Sequence, residues 1–230
     1  LVLFMAFALR QLKSRSPLLA LSIFRYPGFG PAFMVAMLTG AGLFGSVYLL
    51  PMLVQTAMGK SASAAGMLLM PAGLAMAFSF PVIGRLTDRM LPKILVAAGL
   101  VIFAISCVVL SETGAGTSLI LVALMAALGR VGLAMTMPPV VIGAVSIVPP
   151  EMVNQATGLV SFARQFGGSL GVTLSAVLLQ EQTHWAASLG MPLTFPGFQD
   201  AFALMALIYL LGLYPMARMK TPPQENREAA

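Results

Sequence analysis

The chain has 230 residues, of which 59% are hydrophobic and 9% are charged, and its formal net charge at pH 7 is +6. A soluble domain carries roughly 45–50% apolar and about 25% charged residues, so this composition excludes an ordinary soluble domain. Because one crossing of the hydrocarbon core needs about 20 apolar residues, the length accommodates roughly five to seven spans with short connections. The composition therefore predicts an all-α integral membrane protein in contact with the lipid bilayer.

The chain contains one cysteine, Cys107, and one histidine, His184. This excludes an intrachain disulfide framework and leaves no Cys/His set with metal-ligand spacing, so we expect no metal and no bound cofactor. The Lys and Arg residues cluster between apolar runs, as orientation signals do. The positive charge therefore does not indicate a nucleic-acid partner.

In chain order, residues 1–9 form an apolar run too short to span, and we expect it to be the end of a truncated transmembrane helix of a longer protein. Residues 10–28 are predicted to be a cytoplasmic linker in which Ser16 to Pro27 forms an interfacial helix. Residues 219–230 are polar and are predicted to be a disordered cytoplasmic tail. Six predicted spans lie between, at about residues 29–56, 64–86, 92–111, 117–142, 156–180 and 199–218.

The distribution of basic residues supports six spans that begin and end on the cytoplasmic side. Among the basic residues in connections, Lys60 alone falls on the side opposite the cytoplasm. By the positive-inside rule, we expect a multi-pass protein of the cell (inner) membrane with a cytoplasmic C-terminus. The basic residues on the predicted cytoplasmic side are Arg10, Lys13, Arg15, Arg25, Arg85, Arg89, Lys93, Arg218, Lys220 and Arg227.

The spans differ in composition. Spans 3 and 6 are almost wholly aliphatic with a few aromatic residues, which predicts that they face lipid. Span 1 places polar and aromatic residues along one helical face, and span 5 places polar and small residues at steps of three and four. Those two faces need a neighbour other than lipid; the face of span 1 carries Met37, Phe44, Tyr48, Pro51 and Gln55.

A charged motif follows span 2 at the predicted cytoplasmic turn, from Gly84 to Lys93. A carboxylate here, at Asp88, could accept hydrogen bonds from the N-terminus of the next helix, and such a contact could hold two helices together in one state only. The alternative is a basic loop that only sets orientation. The residues predicted to act in gating are Gly84, Arg85, Asp88, Arg89 and Lys93.

Arg130 lies midway along span 4. A guanidinium at membrane depth costs about 3 kcal/mol or more, so it normally faces a bundle interior, a cavity or a partner. The alternative, snorkelling to an interface, is weaker for a mid-span position. Pro138 and Pro139 follow, and we expect them to break the helix and free backbone carbonyls.

Span 5 carries a run of small residues beside two polar ones, Arg164 and Gln165. Gly167 and Gly171 form a GxxxG pair, which permits close approach of another helix. Gly167, Gly168, Ser169 and Gly171 also fit the nucleophile pattern G-x-S-x-G. That elbow needs a strand-to-helix turn and a base on another element, so an intramembrane serine protease is a remote alternative.

These three motifs together resemble the major facilitator superfamily. The loop resembles its G-x-L-a-D-r-x-G-r-k motif, although Leu91 and Pro92 stand where Gly and Arg are expected; Arg130 with Gly132 resembles the Arg of its fourth span. The run A-x-G-L…R-Q-x-G-G-S-x-G-V is similar to the penultimate span of the fourteen-span drug:proton antiporters. The three motifs cover about residues 84–172, and because the six-span spacing and the cytoplasmic tail also fit, the resemblance takes in nearly the whole chain.

The resemblance implies the C-terminal six-helix bundle of a transporter whose N-terminal half is the partner. Spans 1 and 4 would line a central cavity, spans 2 and 5 would face the other half, and spans 3 and 6 would face lipid. Transport would occur by alternating access, with the proton gradient as coupling ion and efflux of an amphipathic or cationic drug-like compound as the activity.

Under this hypothesis Arg130, Met37, Phe44, Tyr48 and Gln55 form the substrate pathway, although Met and aromatic residues at helical spacing also serve plain packing. The surface predicted to pack against the other half consists of Arg164, Gln165, Gly167, Gly168 and Gly171.

The carboxylates up to Asp200 lie at span ends or in loops, so no proton carrier is evident in this chain. The family resemblance implies that the coupling carboxylates lie mainly in the other half. Two further alternatives stay open: an exporter or importer of a metabolite or nutrient from the same superfamily, and a non-transporting membrane fragment.

Overall fold

The computed structural model describes residues 21–114, 116–188 and 196–219, and every regular element within these ranges is helical. Helix α1 ends in a π-helical turn, Leu53–Ala57, and short 3-10 turns occupy Leu21–Arg25 and Pro150–Met152. The all-α prediction is confirmed. The α-helices are α1 (Phe29–Met52), α2 (Ala62–Arg89), α3 (Pro92–Ser111), α4 (Leu119–Val145), α5 (Val153–Ser188), α6 (Pro196–Leu211) and α7 (Leu213–Arg218).

Each of the six predicted spans falls on one of these helices, with α6 and α7 together covering the last. The largest difference is at α5, which ends at Ser188 and not near residue 180. Within the described ranges five helical stretches are long and apolar enough to cross a membrane, and α5 is not among them, because its polar residues lower its hydropathy. The predicted truncated helix, residues 1–9, and the tail beyond Met219 lie outside the described residues.

Local sequence explains where the helices begin. The hydroxyl of Ser61 accepts a hydrogen bond from the Ala64 N–H at 3.2 Å, and that of Ser118 accepts one from the Ile120 N–H at 3.2 Å. Both are side-chain caps of otherwise unpaired N–H groups in a first turn. Helix α3 begins at Pro92, where a missing N–H costs nothing.

The prediction that Pro138 and Pro139 break the fourth span is wrong, because α4 runs through both prolines to Val145. Each proline removes one N–H donor, so only the carbonyls of Ala134 and Met135 lose their usual partners. Neighbouring helices hold such a helix together. Here α3 packs closely on the preceding turns, where an added Cβ on Gly99 would lie 2.5 Å from the carbonyl oxygen of Gly132.

The closest helix contact joins α1 to α5, which run parallel. An added Cβ on Gly167 would collide with the carbonyl oxygen of Met37, one on Gly171 with that of Ala41, and one on Gly40 with that of Arg164. Small residues allow helix backbones in a membrane to approach in this way. The expectation that Gly167 and Gly171 pack against a second half is therefore corrected: they pack against α1 of this bundle.

Helices α3, α4 and α6 complete the core. The Ser106 hydroxyl on α3 donates to the Met125 carbonyl on α4 at 2.7 Å, and the Gln199 amide on α6 donates to the Thr113 carbonyl at 2.8 Å. The outer faces of α3 and α6 are apolar and exposed, which fits lipid contact. Helix α2 is the least enclosed span, with 11% of its most apolar window buried.

We expect Gly167→Ala to lower the thermal stability of the detergent-solubilised protein, because the new methyl group meets a backbone oxygen that cannot rotate away. Overpacking of this kind costs about 1–3 kcal/mol. The matched control is Gly158→Ala on the same helix, where nothing lies within 4 Å of the added Cβ. Equal melting temperatures for the two variants would contradict the close α1–α5 contact.

Candidate functional site

Arg130 points into a narrow cleft inside the bundle and is half-buried. Among the described residues it makes no hydrogen bond and no ion pair. An intramembrane guanidinium needs a polar partner or water. The cleft is formed by four helices and includes Ser46, Phe103, Ser106, Cys107 and Phe202.

Tyr209 on α6 is fully buried and contacts Phe103, one of the residues that line this cleft. Its hydroxyl donates to the Thr39 carbonyl on α1 at 3.1 Å, and its ring lies 4.1 Å from the Phe103 ring on α3, tilted by 31°. Gly42 leaves room for the phenol, since an added Cβ there would collide with it. One side chain of α6 therefore links α1 and α3 beside Arg130.

A second, open groove of about 360 Å³ lies between α1 and α5. Phe44 forms one wall, 42% exposed, and its ring lies directly against Gly168, where an added Cβ would collide with it. Polar side chains of α5 form the other wall. The volume falls in the range of drug-sized pockets; the lining consists of Phe44, Gln165, Gly168, Ser169, Val172 and Thr173.

The structure divides the residues predicted to form the substrate pathway. Phe44 lies in the α1–α5 groove, whereas Arg130 lies in the separate cleft among α1, α3, α4 and α6. Met37 is half-buried, with its carbonyl against Gly167; Tyr48 is half-buried, and Gln55 is exposed within the π-helical turn. A π-helical turn often marks a functional position.

The predicted gating residues lie together at one end of the bundle. Gly84, Arg85 and Arg89 occupy the last turns of α2, and Lys93 lies in the first turn of α3. Arg85 and Arg89 are exposed and line a shallow groove with Val82 and Leu86. The side chain of Asp88 is outside the described part of the structure, and the N-cap position of α3, Leu91, provides no side-chain cap.

The polar residues of α5 point in two directions. Arg164 lines a crevice with Thr39, Met137 and Val160, between α1 and α4. Gln165, predicted to pack against the other half, is exposed in the groove.

Sequence reasoning did not select Thr173, although its i+4 spacing from Ser169 could have revealed it. The sequence analysis also did not select Tyr209. The available signal was a phenol hydroxyl in an otherwise largely aliphatic span, where it needs a hydrogen-bond partner.

The protease alternative fails on geometry. Ser169 and His184 belong to the same helix, α5, fifteen positions apart, which separates them by about 22 Å along the helix axis. A nucleophile and its base must lie within hydrogen-bond reach. These two residues cannot form a catalytic pair.

Comparison with known proteins identifies relatives. The profile of the Major Facilitator Superfamily matches residues 5–172. The uncharacterized MFS-type transporter YcnB of Bacillus subtilis (strain 168) is 28% identical over 226 residues, covering 97% of this chain and 48% of that protein. The lincomycin resistance protein LmrB of the same organism is 28% identical, covering 93% of this chain and 47% of that protein. The chain thus spans about half the length of the curated relatives it matches.

Among solved structures, the crystal structure of tetrameric PepTSo2 superposes with a TM-score of 0.70 at 18% sequence identity. The match covers 83% of this chain and 40% of that chain. At this identity the likeness establishes the fold alone.

We expect Tyr209→Phe to destabilise the bundle by about 1 kcal/mol, because the hydrogen bond from Tyr209 to the Thr39 carbonyl is lost while the ring contact with Phe103 remains. Tyr214→Phe is the matched control, since Tyr214 is exposed and contacts Arg218 through its ring face. Thermal unfolding in detergent measures the difference. Identical melting temperatures would show that the buried hydrogen bond contributes nothing.

Proposed function

The chain belongs to the major facilitator superfamily, and from that premise we propose that it works as one half of a transporter that exports drug-like organic compounds. The fold is a multi-pass helical membrane bundle of a transporter family, and not an enzyme fold. The observation that carries the proposal is the similarity, over 93% of the chain, to a protein named for lincomycin resistance. Resistance is the expected consequence of export.

The groove between α1 and α5 supports small-molecule transport. It combines an exposed aromatic ring, Phe44, with the amide of Gln165 and the hydroxyls of Ser169 and Thr173. A surface that is both aromatic and hydrogen-bonding suits amphipathic organic compounds. Alternating access would open this groove to each side of the membrane in turn, as two six-helix halves rock about it.

Proton coupling is the second element of the proposal. The described carboxylates lie toward helix ends or connections: Glu112 caps α3, Glu151 precedes α5, Glu181 is exposed near the end of α5, and Asp200 is near the start of α6. A proton carrier needs a carboxylate at membrane depth. We therefore assign that role to the other half, with Arg85, Asp88 and Arg89 acting in gating.

The intact transporter, reconstituted in proteoliposomes, tests this function. We expect an imposed proton gradient to drive accumulation of ethidium inside inside-out vesicles, and nigericin to abolish it by collapsing the gradient. Control liposomes contain no protein. Transport that ignores the proton gradient would contradict the antiport mechanism, and no transport of any dye or drug in a panel would contradict export.

Arg130→Ala in the intact protein should abolish export while expression stays near normal. Arg130 is a half-buried cation without a partner among the described residues, and such a charge at membrane depth costs about 3 kcal/mol or more. Because an intramembrane charge of this kind marks a functional site, we assign Arg130 to the transport mechanism. Arg218→Ala, at the exposed end of α7, is the control. Unchanged export by the Arg130 variant would remove this residue from the transport mechanism.

The finer localisation is also a proposal: insertion in the cell membrane with the C-terminus in the cytoplasm. Short connections bring Arg25, Arg85, Arg89, Lys93 and Arg218 to one end of the antiparallel bundle, and Lys60 lies at the other. The positive-inside rule places the basic end in the cytoplasm. A green fluorescent protein fused to the C-terminus should fluoresce and a fused alkaline phosphatase should be inactive; the reverse pattern would contradict this orientation.

A further inference from the structure

We propose that the cleft beside Arg130 holds one ordered water molecule, which joins α4 to α1 and α3 through hydrogen bonds. Arg130 then acts on transport as a positioning residue that contacts this water and not the substrate; that second part rests on the proposed export function. The proposal depends on the helices that enclose the cleft, on its size and on the hydrogen-bonding groups along its walls.

The cleft is enclosed by helices of this bundle. Its walls come from α1, α3, α4 and α6, all of which the structure describes. Ser46 on α1, Ser106 on α3 and Phe202 on α6 are buried, and Arg130 on α4 is half-buried. The α1–α5 groove, by contrast, has an open side without a neighbour among the described residues. The Arg130 cleft is therefore a property of the six-helix bundle itself.

The size of the cleft selects a very small ligand. Its volume is about 10 Å³, whereas sites for drug-sized ligands measure about 300–1,000 Å³. A cavity of about 10–15 Å³ is sufficient for one water molecule. Gly129 preserves this space, because an added Cβ there would lie 2.9 Å from the Ser106 hydroxyl oxygen. An organic substrate does not fit beside Arg130, and one water molecule does.

The polar groups on the walls match a water molecule. The Ser46 hydroxyl donates to the Leu43 carbonyl at 3.1 Å, and the Ser106 hydroxyl donates to the Met125 carbonyl at 2.7 Å. A hydroxyl has one proton and two lone pairs, so both oxygens can still accept but have no proton left to donate. The guanidinium of Arg130 is a donor only. Water accepts from Arg130 and donates to the two serines.

Other occupants of this size fit the walls less well. A metal cation is repelled by the guanidinium of Arg130. A halide ion is attracted by that charge, but it faces the lone pairs of Ser46 and Ser106, whose protons already bond to carbonyls. An empty cleft leaves N–H groups desolvated, and the cavities that stay empty in proteins are apolar. Water is therefore the occupant that the chemistry favours.

The water connects Arg130 to α1, the helix that also carries Phe44 of the groove. Any shift of α4 against α1 or α3 forms or breaks this bridge, because a hydrogen bond tolerates only a few tenths of an ångström of displacement. A bridge of this kind sets the rate at which the bundle changes conformation, which appears in kcat. A side chain that contacts substrate would instead change KM.

Radiolytic footprinting of the intact transporter tests for the water directly. X-rays convert a bound water molecule into a hydroxyl radical, which oxidises the side chains beside it, and mass spectrometry measures the product. We expect Phe103 and Phe202, which line the cleft, to be oxidised severalfold faster than Phe29, which does not, although all three rings are buried. Equal rates for the three rings would overturn the proposal.

Ser46→Ala removes one acceptor of the water and leaves the contacts between helices intact, because the Ser46 hydroxyl bonds within α1. We expect it to slow the oxidation of Phe103. The matched control is Ser175→Ala, since Ser175 is also buried and bonded to a carbonyl of its own helix, but lies outside the cleft. Equal oxidation of Phe103 in the two variants would overturn the proposal, as would oxidation that appears only after chloride is replaced by gluconate, which would identify a halide.

Export kinetics test the positioning role, with ethidium as the probe in inside-out proteoliposomes. We expect Ser46→Ala to lower kcat roughly two- to tenfold, the effect of one lost hydrogen bond, and to leave KM unchanged. Ser175→Ala should change neither constant. A raised KM with unchanged kcat in the Ser46 variant would show that substrate reaches the cleft, and unchanged constants would show that the bridge has no effect on transport; either result would overturn the positioning role.

The two experiments separate this inference from the proposed function. If the wild type exports no compound of the panel, the proposed function fails, and the positioning role fails with it. The footprinting does not require transport, so it still decides whether the cleft beside Arg130 holds water.

Discussion

The contact between the backbones of α1 and α5 is the constraint on which the rest of this bundle depends. Lipid tails are as apolar as Leu and Val side chains, so helices in a bilayer associate through close packing and hydrogen bonds. Gly167 and Gly171 allow α5 to lie directly on the carbonyls of Met37 and Ala41. This contact also creates the groove, because it brings Phe44 over Gly168 and leaves the next face of α5 open.

Residues whose polar groups are hydrogen-bonded within the bundle differ in role from residues whose polar groups are not. In the described part of the chain, most helical hydroxyls donate to a carbonyl one turn back, and Ser106 and Tyr209 bond across helices. Such residues stabilise the bundle and need no ligand. Arg130 and the exposed groove residues Gln165, Ser169 and Thr173 make no such bonds within the described part of the chain, and the low dielectric of the bilayer makes that state costly. They are therefore the groups for which transport offers an explanation.

Much of the fold could be predicted because hydropathy and length alone locate helices in a bilayer. The predicted spans begin at about residues 92 and 117, within two residues of the observed starts of α3 and α4 at Pro92 and Leu119. The predictions that were wrong concern which helices pack against each other. Pro138 and Pro139 remain inside α4 because adjacent helices support it, and Gly167 faces α1 because a GxxxG pattern specifies a close contact without specifying the partner. The spacing of Phe44 and Arg130 likewise could not reveal that they occupy different clefts.

The sequence by itself determined the class of the protein, the approximate positions and order of its helical spans and the family resemblance. Each of these follows from composition, periodicity and local motifs, which are properties of short segments. Tertiary structure alone decided which face of α5 is buried against α1 and which is open, that Arg164 and Gln165 point into different spaces, and that Phe44 lies on Gly168. The physical reason is that a helix presents several faces of similar polarity, and only packing against specific neighbours selects among them.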